Sequence, residues 1–242
     1  MKRQFDGVKA LFFDYGGTLD VPARHWSTVI AEAYEQAGLS VAPHAYREAY
    51  VWAERQLGRP GKVDCQSNFA QLLRLKLDIQ TAYLRERGAL SLSAMAMREK
   101  LEQMVAYCDE MVRRNLDMVR PKLELLSRKY ALFLVSNFYG NLRAVLQNYD
   151  LLVFEGVIES AAEGVRKPNP ELWRRALERA GCKPSQAVIV GDSMKNDIAP
   201  ALELGCTSVW LKGEAWTDEP EPQNESLIVV SSFEEVAQLF GV

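Results

Sequence analysis

The feature that most constrains the fold is a stretch near the start of the chain, where an apolar run ends at an aspartate. Positions 8–13 are mostly apolar, and Asp14 is followed closely by Gly16, Gly17 and Thr18. The pattern predicts a buried strand that delivers a carboxylate into a tight loop. In parallel α/β sheets, loops at the carboxyl ends of strands bind ligands. On its own, the stretch is equally consistent with an aspartate that caps a turn.

Composition narrows the class of protein. The 242 residues are 48% hydrophobic and 25% charged, enough for one large domain or a domain with an insert. A net charge of −3 gives no reason to expect nucleic acid or an anionic membrane as a partner. Four scattered cysteines and two histidines argue against a zinc site or a disulfide framework. Without a signal-peptide pattern or an apolar run near the ~18 residues of a membrane span, we expect a cytoplasmic protein.

Residues 21–116 read as a helical insert behind the first strand. Apolar residues recur there at helical spacing and glycines mark helix ends, with no convincing strand. The predicted helices cover 25–37, 43–57, 67–84 and 92–115. A basic turn from Arg55 to Lys62 fits a solvated loop best, with a cationic lip over an anionic substrate as the alternative.

Strand and helix patterns alternate after Pro121. The predicted strands cover 130–135, 153–158, 187–191, 207–211 and 227–230, and the predicted helices cover 141–147, 170–180, 196–204 and 233–240. Such alternation predicts an α/β fold with a doubly wound parallel sheet, covered on both faces. The stretch 214–225, rich in proline and acidic residues, reads as a disorder-prone linker.

Polar residues follow three more of the predicted elements. Ser136 and Asn137 end the strand at 130–135, and Lys167 precedes a helix that starts at a proline. Asp192 and Asp197 follow the strand at 187–191. Each has an ordinary structural explanation, such as a helix cap or a solvated side chain.

Taken in this order, with the helical insert behind the first, these four segments resemble the motifs of the haloacid dehalogenase superfamily. The segment 14–20 is similar to motif I, Ser136 to motif II, Lys167 to motif III and the segment 191–197 to motif IV. The resemblance covers essentially the whole chain. It implies a Rossmann-like core, residues 1–20 and 117–242, with an all-helical cap of the C1 type at 21–116.

The resemblance also implies a metal-assisted phosphoryl transfer. A carboxylate attacks a phosphoryl dianion only if a cation screens the repulsion, and Mg²⁺ with hard oxygen ligands suits that task. Asp14 is then the nucleophile that forms an aspartyl-phosphate. The metal ligands implied are Asp14, the backbone carbonyl of Gly16, Asp192 and Asp197.

The same resemblance assigns the phosphate contacts. Thr18, Ser136, Asn137 and Lys167 would hold the phosphoryl oxygens, and Lys167 would also offset the charge beside Asp14. The expected function is Mg²⁺-dependent hydrolysis of a small phosphorylated metabolite. The sequence indicates neither the substrate nor the oligomeric state.

Gly16 departs from the family pattern. In the family's phosphatases an aspartate usually stands there, protonates the leaving group and then activates water. General acid–base help is worth ~10²–10⁴ in rate, so a slow phosphatase is predicted. His25 and His44 are candidate substitutes, although a lone histidine is more often structural.

Three alternatives remain open at this point. A dehalogenase-like hydrolase would also lack the second aspartate, but it carries an aromatic residue there and a different, metal-free motif IV. A phosphonatase-like hydrolase would use an insert lysine as a Schiff base, and Lys62, Lys76 and Lys100 are available. A catalytically degenerate phosphate-binding protein would keep the metal site without turnover.

Overall fold

A six-stranded parallel sheet forms the centre of the structure. The computed structural model describes residues 5–214 and 221–242. The strands lie in the order β3-β2-β1-β4-β5-β6, and every neighbouring pair is parallel. They comprise β1 (Ala10–Phe13), β2 (Ala131–Ser136), β3 (Gly156–Glu159), β4 (Ala187–Gly191), β5 (Thr207–Leu211) and β6 (Leu227–Val230). The predicted doubly wound α/β fold is confirmed, with the strand order reversing between β1 and β4.

The side chains of strand β1 contribute to two apolar cores, one on each face of the sheet. All four of its residues are buried, and successive side chains alternate between the two faces of the sheet. Leu11 and Phe13 join the larger core, whereas Ala10 and Phe12 join the smaller one on the other face. Phe12 stacks on Phe133 of β2 with ring centroids 5.2 Å apart. Burial on both faces explains why this strand is continuously apolar rather than alternating.

Helices form the insert and cover the sheet. The insert comprises α1 (Trp26–Gln36), α2 (Pro43–Leu57), α3 (Phe69–Glu86) and the beginning of α4 (Ala94–Ser127). The remaining helices are α5 (Leu142–Asn148), α6 (Ser160–Glu163), α7 (Glu171–Arg179), α8 (Ala199–Glu203) and α9 (Phe233–Leu239). Most bounds agree with the predicted ones within a few residues. The segment Met194–Ile198 differs, because it forms a π-helical turn before α8.

Helix α4 is longer than the sequence pattern predicted. It runs for 34 residues and passes through Pro121, although an interior proline removes a helical hydrogen bond. Its apolar stripe continues without a break, with Leu116, Val119 and Leu123 all buried. The helix packs on α1 and α3 and then on β2 and α9, so it joins the insert to the sheet. The proposed domain division after residue 116 falls inside this helix and stays a prediction.

Two further predictions from the sequence concern a linker and the absence of membrane-spanning helices. Of the linker predicted at 214–225, positions 215–220 lie outside the described residues. Within the described ranges, each helix is either too short or too polar to cross a bilayer.

The joint made by α4 gives a testable prediction. Leu116 is fully buried, whereas Met118, two residues later, is 61% exposed. We expect Leu116→Ala to lower the free energy of unfolding by about 2–5 kcal/mol, because it leaves a cavity in the larger apolar core. Met118→Ala is the matched control and should change it by less than about 0.5 kcal/mol. Urea unfolding measures both, and equal effects would contradict this packing.

Candidate active site

The predicted site residues meet at the carboxyl edge of the sheet. Asp14 follows β1, Ser136 ends β2 and Asp192 follows β4, and these three strands are neighbours. They surround a cavity of about 360 Å³ between the sheet and the insert. The predicted residues that line it are Asp14, Gly16, Ser136, Asn137, Lys167, Asp192 and Asp197. Parallel strands bring these positions together although they are far apart in sequence.

Lys167 holds the centre of the site. Its ammonium group donates to Asp14 Oδ1 at 2.5 Å, to Asp197 Oδ1 at 2.6 Å and to the carbonyl oxygen of Val135 at 3.0 Å. The side chain is only 2% exposed. Burial disfavours its charge, but the carboxylates of Asp14 and Asp197 outweigh burial and raise the pKa of Lys167. Lys167 is therefore a fixed cation beside Asp14.

Three carboxylates share this small volume. Oxygens of Asp14, Asp192 and Asp197 lie within 4.8 Å of one another. Burial, together with the charges of Asp14 and Asp197, raises the pKa of Asp192. Burial also raises the pKa of Asp197 to about 6, although Lys167 acts in the opposite direction. One ammonium does not balance three carboxylates, and a hard divalent cation with oxygen ligands fits the remaining charge.

Two glycines make room for these carboxylates. Gly17 has a φ of +84°, and a Cβ on it would collide with the carboxylate of Asp192. A Cβ on Gly191 would lie 2.5 Å from the Cβ of Asp197. A side chain at either position would therefore displace an acidic residue of the site.

Besides Lys167, two more of the predicted phosphate-binding side chains are engaged with the protein itself. Thr18 is fully buried, and its hydroxyl donates to Asp192 Oδ1 at 3.3 Å. The amide of Asn137 accepts from the backbone N–H of Lys167 at 2.9 Å and donates to its carbonyl oxygen at 3.0 Å. Both side chains thus orient charged residues of the site. Their contact with a phosphate stays a prediction.

Asp20 and Trp26 also line the cavity, and the sequence pattern gave them no role. Oδ1 of Asp20 accepts from the backbone N–H groups of Gly17 at 2.8 Å and Val21 at 2.7 Å, and Oδ2 accepts from the Trp26 indole at 2.8 Å. Burial raises the pKa of Asp20 to about 7 against these hydrogen bonds. The indole lies 3.7 Å from where a Cβ on Gly16 would stand. Asp20 and Trp26 therefore fix the loop around Gly16.

The two histidines occupy different places. His25 lines the cavity, but its Nδ1 accepts from the backbone N–H of Ser27 at 3.1 Å as the cap of α1. Burial and the charge on Lys76 lower the pKa of His25, so the ring is neutral at pH 7. His44 lies in a surface groove of the insert beside Trp52. An acid–base role for either histidine stays a prediction.

The structure distinguishes the insert lysines. Lys76 lines the cavity, whereas Lys62 is exposed and Lys100 contacts Gln103 at the surface. Lys76 forms an ion pair with Glu54. Burial disfavours the ammonium, but the charge of Glu54 outweighs burial and raises the pKa of Lys76. A lysine held protonated is poorly suited to form a Schiff base.

The basic turn at 55–62 does not form the lip considered from the sequence. Arg55, Arg59 and Lys62 are all exposed, and the residues that line the cavity include none of the three. The solvated-loop interpretation fits this placement.

Comparison with known proteins decides the family. The model of the haloacid dehalogenase-like hydrolases matches residues 8–205, most of the chain. The chain belongs to this family. The resemblance to the haloacid dehalogenase superfamily is thereby confirmed, whereas the roles of the individual motif residues stay predictions.

Relatives of the chain include two archaeal proteins named glyceraldehyde 3-phosphate phosphatase. The Pyrococcus furiosus protein is 42% identical over 59 residues, which are 24% of this chain and 25% of that protein. The Methanothermobacter thermautotrophicus protein is 27% identical over 124 residues, 48% of this chain and 53% of that protein. The chain thus spans about half or less of the length of these relatives.

A solved structure shows the same fold over the whole chain. The HAD hydrolase YfnB from Bacillus subtilis, crystallised with magnesium, is 18% identical. It superposes with a TM-score of 0.61, covering 97% of this chain and 99% of that one. At this identity the likeness concerns the fold alone.

The Asp20–Trp26 contact of this haloacid dehalogenase-like hydrolase gives the next prediction. In Asp20→Asn the oxygen keeps the two backbone bonds, but the new amide N–H then faces the indole N–H. We expect a loss of about 1–3 kcal/mol in the free energy of unfolding, because two donors oppose each other in a buried place.

Trp26→Phe removes the opposing donor and serves as the matched background. In that background Asp20→Asn should cost clearly less, which a double-mutant cycle by urea unfolding detects. Additive effects of the two substitutions would show that the indole does not hold the Asp20 carboxylate.

Proposed function

We propose that this haloacid dehalogenase-like hydrolase is a Mg²⁺-dependent phosphatase of a small phosphorylated metabolite, acting through an aspartyl-phosphate on Asp14. The observation that carries the proposal is the placement of Asp14. It lies buried at the end of β1, 2.5 Å from the ammonium of Lys167 and within reach of two further carboxylates. The names of the archaeal relatives, phosphatases of a three-carbon phosphate ester, support the same reaction class.

The proposed metal site uses the residues already described. Asp14, Asp192, Asp197 and the backbone carbonyl of Gly16 would hold Mg²⁺, and a bound Mg²⁺ supplies the positive charge that lets a carboxylate approach a phosphoryl dianion. Lys167 contributes a further fixed positive charge beside the reacting oxygen. Ser136 lines the cavity, and its hydroxyl would donate to a phosphoryl oxygen.

The chemistry assigned to Asp14 has two steps. A carboxylate oxygen of Asp14 attacks phosphorus, and the bond to the alcohol oxygen breaks with its electron pair leaving on the alcohol. Water then attacks the phosphorus of the aspartyl-phosphate, which releases inorganic phosphate and restores the carboxylate. Lys167 stays charged through both steps and offsets the negative charge that develops between Asp14 and the phosphoryl group.

Gly16 makes both steps slow. Without a carboxyl at this position, the alcohol leaves without a proton and water attacks without a base, which costs about 10²–10⁴ in rate. A Cβ is accepted at this position, because it would stand at an ordinary 3.7 Å from Trp26.

A second candidate function is phosphate binding without turnover, and Gly16 is the observation that favours it. The metal and nucleophile residues would then serve to hold a phosphorylated ligand. The two candidates differ in turnover alone, so one assay separates them.

The test is a phosphate-release assay with Mg²⁺ on a panel of phosphomonoesters, comparing wild type with Asp14→Asn and Gly16→Asp. We expect slow release by wild type, none by Asp14→Asn or after chelation of the metal, and a gain of up to about 10²-fold in Gly16→Asp. Gly16→Ala is the matched control, because it adds the Cβ without the carboxyl and should bring no gain.

Other outcomes reassign the protein. Release that persists in Asp14→Asn would contradict the nucleophile. No release by wild type, together with thermal stabilisation by phosphomonoesters, would establish the binding role.

A further inference from the structure

The insert places a charged pair in the wall of the active-site cavity. Glu54 of α2 and Lys76 of α3 form an ion pair there, and Lys76 Nζ lies 4.6 Å from the ring centroid of Tyr50. The other carboxylate oxygen of Glu54 accepts from the hydroxyl of Tyr139 at 2.6 Å. Tyr139 follows β2, so this cluster bridges the insert and the sheet.

Both members of the pair face the cavity. The side chain of Lys76 is 9% exposed and that of Glu54 is 35% exposed, and both belong to the cavity wall. The ammonium of Lys76 is nearly removed from water and is held there by the Glu54 carboxylate. Because both side chains line the cavity, a ligand that enters it meets this pair directly.

Arg166 adds a second cation to the same wall. It directly precedes Lys167, lines the cavity and is exposed, so it stands at the mouth. Throughout the described part of the chain, no hydrogen-bond or ion-pair partner of its guanidinium is present. Arg166, Glu54 and Lys76 thus line the same cavity.

The charges of this cluster do not cancel. Lys76 and Arg166 bring two positive charges against one negative charge on Glu54. Arg24, another cation in the wall, is already paired with Glu32 and Glu214. The remaining positive charge is the feature that a substrate would meet beyond its phosphate.

We propose that Arg166 and Lys76 bind a carboxylate on the alcohol portion of the substrate, so that the preferred substrates are phosphomonoesters of small hydroxy acids. This inference rests on the proposed phosphatase function. A planar guanidinium receives a carboxylate through two parallel hydrogen bonds. The ammonium of Lys76 has three N–H donors, of which Glu54 takes one. Glu54 acts as a positioning residue, because it keeps Lys76 charged and in place.

The test uses two substrates matched in carbon number and phosphorylated on a terminal hydroxyl, phosphoglycerate with its carboxylate and glycerol phosphate without one. We expect wild type to prefer phosphoglycerate in kcat/KM by about 10- to 100-fold, the range of a charge-assisted contact. In Arg166→Met the preference should fall towards one, chiefly through a higher KM for phosphoglycerate.

Matched variants separate this effect from loss of fold. Lys62→Met removes an exposed insert lysine outside the cavity, so the preference should persist in that variant. The double variant Lys76→Met with Glu54→Gln removes the pair without leaving one buried charge alone. It should reduce the preference as Arg166→Met does, with an unchanged circular dichroism spectrum.

A binding readout keeps this proposal distinct from the proposed function. Thermal stabilisation of Asp14→Asn with Mg²⁺ should be greater for phosphoglycerate than for glycerol phosphate, and adding Arg166→Met should remove the difference. If this difference in stabilisation is observed but wild type shows no turnover, the phosphatase function is wrong. The carboxylate site is then retained. Equal kcat/KM for both substrates, or equal losses in Arg166→Met, would overturn the carboxylate site.

Discussion

The ammonium of Lys167 is the contact on which the rest of the site depends. It joins Asp14 after β1, the carbonyl of Val135 in β2 and Asp197 after β4, so one side chain ties three neighbouring strands together at their carboxyl edge. The side-chain amide of Asn137 forms hydrogen bonds with both the backbone N–H and the carbonyl oxygen of Lys167. Without this buried cation, three carboxylates within 4.8 Å of one another would repel each other strongly.

The loop after β1 has a second set of constraints. Gly17 has no Cβ, which would collide with the carboxylate of Asp192. The carboxylate of Asp20 accepts hydrogen bonds from two backbone N–H groups and from the Trp26 indole. These contacts fix the loop around Gly16, which lines the cavity but brings no side chain to it. Under the proposed function, Asp14 would accept the phosphoryl group, and the departure from the family pattern at Gly16 would concern proton transfer.

The sequence was sufficient for the sheet and for the meeting of the motifs, because polar residues at the ends of parallel strands must share one edge. It was insufficient for α4, where a continuous buried stripe overrides Pro121. Contacts that depend on tertiary packing could not be predicted from the sequence either. Glu54 meets Lys76 across 22 positions and Tyr139 across 85, and only the packing of α2, α3 and the loop after β2 brings them into one cavity wall.

The most direct test of this account is to locate the phosphoryl group during turnover. Wild type is quenched in acid while it hydrolyses p-nitrophenyl phosphate with Mg²⁺, and its peptides are analysed by mass spectrometry. Because p-nitrophenolate leaves without needing a proton, whereas Gly16 provides no base to activate water for the second step, the aspartyl-phosphate should accumulate. We predict one phosphoryl group on the peptide that contains Asp14, and none in Asp14→Asn. Turnover with that peptide unmodified, or with the phosphoryl group on another residue, would contradict the account.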